Sequence, residues 1–297
     1  MAETGRLSWF VAPRRLSLSP VTALRIAIIV AVLVAWEGLA RSGLLYRDVV
    51  PSLVAIGKAL FMLLVDPNQV WRDELVYTSY LFPVEIRLPL EFPYPDRWPE
   101  FYWHLYTTCY EIAVGMVIGG LSGLVAGIAL GGSRLLRRAY EPLLYYLGPC
   151  PKIIFFPVMI MWFGVGPGSK IAMGAISCFF PVALNVAGGM REIDQVLIRV
   201  GRSFRANTWQ MVTKIYMPAM RHPIINGVRL GLGVCLIGTL LAETKLSNRG
   251  IGFLVIQAYS LFNMPLMYAL LIVLFVLAIG ANTLIGRLGG LDDIKRR

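Results

Sequence analysis

A chain of 297 residues with 57% apolar, 15% charged and 11% aromatic residues carries much less charge than a soluble domain, for which about 25% is usual. Its mean hydropathy of +0.66 excludes both a single water-soluble globule and an intrinsically disordered chain, leaving lipid as the natural solvent. The formal charge of +11 fits either nucleic-acid binding or the Lys/Arg bias of cytoplasmic membrane loops, and the placement of the charges decides between them.

The first apolar run, residues 21–40, follows Arg14 and Arg15 and contains Glu37. Gly38 and Ala40 have the spacing of a signal-peptide cleavage site, but an uncleaved span gives the better even count of crossings. Pro51 opens residues 52–65, where Leu53, Ile56, Leu60, Leu63 and Leu64 recur at helical spacing and predict an amphipathic helix on the membrane surface. Residues 66–100 are the most polar stretch, rich in Pro and aromatics. They read as an ordered extracytoplasmic segment, either an irregular cap or short strands over 75–82 and 84–92, rather than a flexible linker. Residues 112–132 hold no charge and carry Gly115, Gly119, Gly123, Gly127 and Gly131, a ladder that lets a second helix backbone approach closely.

Four further spans follow: 143–163, broken by Pro149, Pro151 and Lys152; 171–190; 224–243, with Arg229 near its start; and 266–285. Between the last two, residues 251–261 read as a short re-entrant or interfacial piece ended by Asn263-Met264-Pro265. Six crossings put both termini on one side, and most of the 28 basic residues fall on that side, which is therefore cytoplasmic. The same distribution removes the nucleic-acid reading. The predicted organisation is a cytoplasmic segment (1–20), a transmembrane domain (21–290) with an extracytoplasmic insert (66–101) and a cytoplasmic loop (191–222), and a tail (291–297).

Recognised catalytic patterns are missing from the sequence. Cys109, Cys150, Cys178 and Cys235 stand singly in apolar stretches and read as buried small apolar residues, with neither a disulfide framework nor a zinc site. His104 and His222 lack zinc-binding spacing, and neither a G-x-S-x-G elbow nor a phosphate-binding G-x-x-x-x-G-K-[ST] loop occurs. Glu37, Glu111, Lys152 and Glu243 are ionisable groups within spans, each a functional candidate because an unpaired buried charge is costly. No spacing pairs them. For Lys152 and Glu243 the plainer reading is a structural salt bridge or a span end.

The loop 191–222 is too regular for a connector. Val196, Val200 and Phe204 recur every four residues, then Trp209, Val212 and Tyr216 at helical spacing, with Arg199, Arg202, Arg205 and Lys214 alongside. Two short amphipathic helices are predicted, with a break near Ala206-Asn207 where Asn caps the second. A loop merely resting on anionic lipid would explain the arginines but not the apolar stripe.

The run from Asp194 to Asn207, with Trp209-Gln210 and the closing Met217-Pro218-Ala219, resembles the EAA coupling loop of ABC-importer permeases. The flanks agree: Trp162-Phe163-Gly164-Val165-Gly166 with Ser169-Lys170, Phe179-Phe180-Pro181 with Asn185, Gly227 to Gly233, and Ala242-Glu243 before Gly250-Ile251-Gly252. Together they resemble the nitrate/sulfonate/taurine branch. That resemblance implies an all-α polytopic protein of the type I ABC-importer permease fold in a bacterial inner membrane, in contact with lipid. It implies a pair with an identical or paralogous permease, a separate ATPase that binds ATP and Mg, and a periplasmic or lipid-anchored substrate-binding protein. No cofactor is expected on this chain and no chemistry, only a path for a small, anionic solute. The implied docking residues are Val196, Arg199, Val200, Gly201, Arg202, Ser203, Phe204, Arg205, Ala206 and Asn207, with Pro218. The implied path residues are Lys152, Asn185, Thr239 and Glu243. Two positions depart from the family pattern: Arg199 stands for the usual Glu and Arg205 for the usual Gly. Glycine at such a bend serves a positive φ, so Arg205 implies strain of about 1 kcal/mol or a different bend. These replacements give a second reading, the degenerate half of a heterodimeric permease. A polytopic membrane enzyme is a third.

Overall fold

The computed structural model describes residues 20–42, 49–65, 100–245 and 247–288. The strands expected in the insert, most of that insert, and both terminal segments lie outside the described residues. The chain divides into two compact units, residues 1–54 and 55–297.

In the first unit, helix α1 (Pro20–Ser42) is mostly apolar and long enough to cross a bilayer. Glu37, which the sequence leaves without a role, is a cap. Its Oε2 accepts the Leu53 N–H at 2.9 Å, where helix α2 (Leu53–Val65) begins, and its Oε1 accepts from Arg41 Nε at 2.7 Å. Trp36 Nε1 donates to Pro51 O at 3.2 Å, so one turn of α1 holds the chain that leads into α2.

The second unit is built on three long helices, α3 (Glu100–Gly132), α6 (Pro167–Glu192) and α10 (Arg221–Lys245). The glycine ladder of α3 faces α6 along its length. A Cβ at Gly115 would lie 3.1 Å from Ile171 O, at Gly123 2.7 Å from Phe179 O, and at Gly127 2.6 Å from Val186 Cβ. On its other side α6 meets Gly227 and Gly231 of α10, where added Cβ atoms would stand 3.0 Å from Asn185 Cβ and 2.8 Å from Cys178 Sγ. Lipid is as apolar as a leucine side chain, so helices associate in it through close packing of this kind. Gripped from two sides, α6 buries Met173, Cys178, Val182, Ala183 and Val186.

Between α3 and α6 the chain forms α4 (Arg134–Leu147), capped by Ser133 Oγ, then a 3₁₀ turn (Lys152–Phe155) and α5 (Phe156–Phe163). The sequence predicts one interrupted span over 143–163; the structure instead has a helix pair bent by 96° that starts at Arg134. Pro149 and Pro151 cause the break, since each lacks the N–H needed to continue a helix. After α6 come α7 (Gln195–Ser203), then α8 (Thr208–Gln210), a π-helical turn (Met211–Tyr216) and α9 (Met217–Ala219). Helix α11 (Ile251–Ser260) is too short to span, and α12 (Met264–Leu288) follows. Leu63, Phe101, Ile251, Leu254, Leu266 and Leu270 form the core around this pair. Among the described residues, five helices are long and apolar enough to cross a membrane, six if the bent pair is one span.

Two expectations need correction. Helix α3 begins at Glu100, well before the predicted start at Ile112, because the polar side chains of its first turns are buried among other elements and so do not halt the helix. Of the cysteines expected to be buried, Cys178 and Cys235 are, whereas Cys109 and Cys150 are exposed; a weakly polar thiol costs little on a surface that faces lipid.

The ladder yields a paired prediction. Gly123→Ala should cost about 1–3 kcal/mol, because neither Phe179 O nor Val182 Cβ has room to yield. Gly120→Ala, with nothing within 4 Å, should leave stability unchanged. Thermal unfolding of both variants in detergent checks this.

Candidate functional site

Two constellations occupy opposite ends of α6 and α10. At the Lys170 and Glu243 end, α11 starts inside the helix bundle, and the first N–H groups of a helix have no partner within it. Here side chains of two other helices meet them. Gly250 N–H donates to His104 Nδ1 at 2.9 Å, Ile251 N–H to Thr108 Oγ1 at 2.8 Å, and Gly252 N–H to Glu243 Oε2 at 2.7 Å. The Thr108 hydroxyl donates in turn to Glu243 Oε1 at 2.7 Å. The carboxylate also complements the positive end of the α11 dipole.

Gly250 is required twice over: its φ is +103°, and a Cβ there would overlap the Glu243 carboxylate. The imidazole of His104 stacks on Phe253, with ring centroids 5.9 Å apart, and turns its unprotonated nitrogen to Gly250. Glu111 brings a second carboxyl against Glu243, and the Lys170 ammonium lies within electrostatic reach of both. Lys170 also donates to Val165 O and to Gly166 O, the latter at 3.1 Å, which ties the start of α6 into the same cluster.

The structure thus brings Glu111 beside Glu243, although no spacing in the sequence pairs them. Their partnership is tertiary, set by the docking of α3 on α10, and no local spacing encodes it. Thr108 was missed, His104 was weighed only as a zinc ligand, and Lys170 was read only as part of a motif flanking the loop. A signal existed: His104, Thr108 and Glu111 at i, i+4 and i+7 put one polar stripe on an otherwise apolar helix.

The four residues expected to line a path are dispersed. Thr239 and Glu243 lie one turn apart on α10, both fully buried. Lys152 donates to Gly148 O and stands 5.2 Å above the Phe180 ring. Asn185 donates to Pro181 O of its own helix at 2.8 Å. Among the described residues, no hydrogen bond or ion pair joins Lys152 or Asn185 to Thr239 or Glu243.

At the other end of α6, Asp194 caps α7 by accepting the Val196 N–H at 2.8 Å. The next helix opens with a reciprocal cap: Asn207 Oδ1 accepts from Gln210 N at 2.8 Å, and Gln210 Oε1 from Asn207 N at 3.0 Å. The break therefore falls where the sequence places it. Gly201 is buried against Met211, whose Sδ would lie 2.7 Å from an added Cβ, so α7 packs on the π-helical turn through its glycine. Around this contact Val196, Leu197, Val200 and Phe204 all stand in the open, with Phe204 83% exposed. Arg205 N donates to Arg202 O at 2.9 Å and Ala206 N to Gly201 O at 3.1 Å, the paired bonds of a helix ending that needs a left-handed residue. Arg205 supplies it at φ +52°, a conformation that is costly for any side chain. The chain thus keeps the bend that glycine would serve and accepts the strain.

Two predictions follow from these ends. Glu243→Ala leaves the Thr108 hydroxyl and the Gly252 N–H unpaired. It should cost about 3 kcal/mol and lower the melting temperature by on the order of 10 °C, whereas Glu243→Gln should lose less. Thermal unfolding in detergent measures both. Arg205→Gly should preserve or raise loop stability, whereas the β-branched Arg205→Val should cost about 1–2 kcal/mol, read from limited proteolysis of the loop.

Residues 119–291 match the family model of the binding-protein-dependent transport system inner membrane component. The chain is 31% identical over 189 residues to the taurine transport system permease protein TauC of Escherichia coli (strain K12), covering 62% of this chain and 69% of that one. It is 32% identical over 183 residues to SsuC of Bacillus subtilis (strain 168), named for aliphatic sulfonates transport, covering 62% of this chain and 66% of that one. Its fold is similar to that of a chain in the inward-facing MetNI methionine ABC transporter, with a TM-score of 0.57 at 22% identity over 69% of this chain and 98% of the other. With the helix order described above, these matches place the chain in the family of inner-membrane components of binding-protein-dependent transport systems, the permease subunits of ABC importers.

Proposed function

We propose that this permease couples to a separate ATPase through the loop 194–218 and that it carries a small anion of the sulfonate type across a bacterial cytoplasmic membrane. The observation that carries the coupling is the face of α7. Val196, Val200 and Phe204 form an apolar stripe in the open, flanked by the exposed Arg199, Arg202 and Arg205, while Gly201 holds the helix against the protein. Exposed apolar side chains on a capped, rigid helix outside the long spans have the form of a docking surface for a soluble protein. Ser203, Ala206, Asn207 and Pro218 shape the bend that presents it. The reversed charge at Arg199 calls for an acidic group on the ATPase.

ATP and Mg belong to that partner. Closure of two ATPases would move two α7 helices as levers, one on each member of a permease pair, and switch the bundle between inward-open and outward-open states. Both termini and the 191–222 loop are assigned to the cytoplasm by the positive-inside bias, and the insert 66–101 to the opposite side, where a substrate-binding protein delivers solute. Sulfonate specificity is supported by the names of the two permease relatives. Lys152, Asn185 and Thr239 are kept as path residues, whereas the bonds of Glu243 to Thr108 and to the Gly252 N–H make it a positioning residue for α11.

Affinity purification from native membrane in mild detergent tests the docking. An ATPase should be recovered with the wild-type chain. Loss of a buried interface anchor costs about 2 kcal/mol, so Phe204→Asp should lower its recovery about 30-fold. Thr213→Ala, on the same loop, should leave recovery unchanged. Recovery of the chain alone under conditions that preserve related complexes would refute the coupling.

A further inference from the structure

Between α4 and the end of α6 lies an open cavity of about 590 Å³, lined by Arg137, Arg138, Glu141, Tyr145, Tyr146 and Arg191. Arg191 pairs with Glu141 at 3.1 Å, and among the described residues Arg137 and Arg138 form no ion pair. Three guanidinium groups thus face one carboxylate, leaving two positive charges without a counterion in a concave site.

The surroundings indicate what supplies the anion. Helix α4 is strongly two-faced: Leu135, Leu143 and Tyr146 are exposed on its apolar flank, with Tyr146 77% exposed, whereas Tyr145 lies on the face of Arg138 and Glu141. Such a helix rests in the bilayer interface, its leucines among acyl chains, its tyrosines at headgroup level and its arginines at the phosphates. Guanidinium groups bind phosphate oxygens in a two-pronged geometry that an ammonium cannot reproduce. Basic pockets between membrane helices have the form of lipid headgroup sites.

We infer that this cavity seats the phosphate of an anionic phospholipid, held by Arg137 and Arg138 and shared with Arg191, which then divides its bonds between lipid and Glu141. The site binds a resident lipid rather than transported solute, since the exposed apolar flank of α4 gives the acyl chains a surface to lie on.

The test uses the full chain with whatever partners co-purify, placed in nanodiscs of phosphatidylcholine with or without phosphatidylglycerol, and counts retained lipid by native mass spectrometry. Lipid retention does not depend on ATP hydrolysis, so failure of the docking reading leaves this readout intact. Wild type should retain phosphatidylglycerol in preference to phosphatidylcholine. At about 1 kcal/mol per arginine, Arg137→Gln with Arg138→Gln should lower that retention about 30-fold. Arg137→Lys with Arg138→Lys, which keeps charge and fold, should retain an intermediate amount. Arg134→Gln, on the same helix outside the cavity, should change nothing. The inference is overturned if the double Gln variant retains lipid as wild type does, or if Arg134→Gln lowers retention equally, as general surface charge would. It is also overturned if inorganic phosphate or methanesulfonate displaces the lipid at equal concentration, as a site for free oxyanion would.

Discussion

A helix that begins inside a packed helix bundle cannot leave its first N–H groups to water, and that constraint organises one end of this permease. Helix α11 starts among α3, α6 and α10, and its amides at Gly250, Ile251 and Gly252 end on His104, Thr108 and Glu243. Each unmet donor would cost about 1–3 kcal/mol even in a soluble protein, and lipid offers no substitute partner. The cap therefore fixes the relative placement of three helices with a handful of side chains. It also explains the glycines, since Gly250 and Gly252 must let the Glu243 carboxylate approach the backbone itself.

From this fixed end, α6 and α10 run the length of the bundle to the loop that carries α7. The glycine contacts of α3 and α10 pack α6 closely along its length, a form suited to moving as one body. The opposite end has the converse character. Helix α7 buries little beyond Gly201 and presents its apolar side chains outward. A locked end and an exposed docking end suit a subunit that hydrolyses nothing and transmits movement. The arginine-lined cavity beside Arg191 lies at this second end, so lipid and ATPase would share one region of the chain.

Much of this was legible in the sequence. The charge-free runs give the spans, the four-residue glycine period gives the tightest helix pair, and Asn207 marks the break in the loop. Replacement of glycine by Arg205 even forecast a strained bend, and the φ of +52° is that strain. The cap was not legible, because its members are brought together by tertiary packing across more than a hundred residues of chain, as in the Thr108–Glu243 bond. Helix periodicity reports which face is buried but not which other helix buries it. The bent pair at α4 and α5 was half legible: Pro149 and Pro151 announce a break, but neither gives its angle.

The central claim is that the start of α11 is locked while α7 is the surface that a partner covers. Hydrogen–deuterium exchange of the assembled transporter, compared with the permease alone and with and without ATP, tests it most directly. The amides of Gly250, Ile251 and Gly252 should stay protected in every state, while residues 196–204 gain protection only when the ATPase is bound. Rapid exchange at residues 250–252 in any nucleotide state, or unchanged exchange at 196–204 on ATPase binding, would contradict the account.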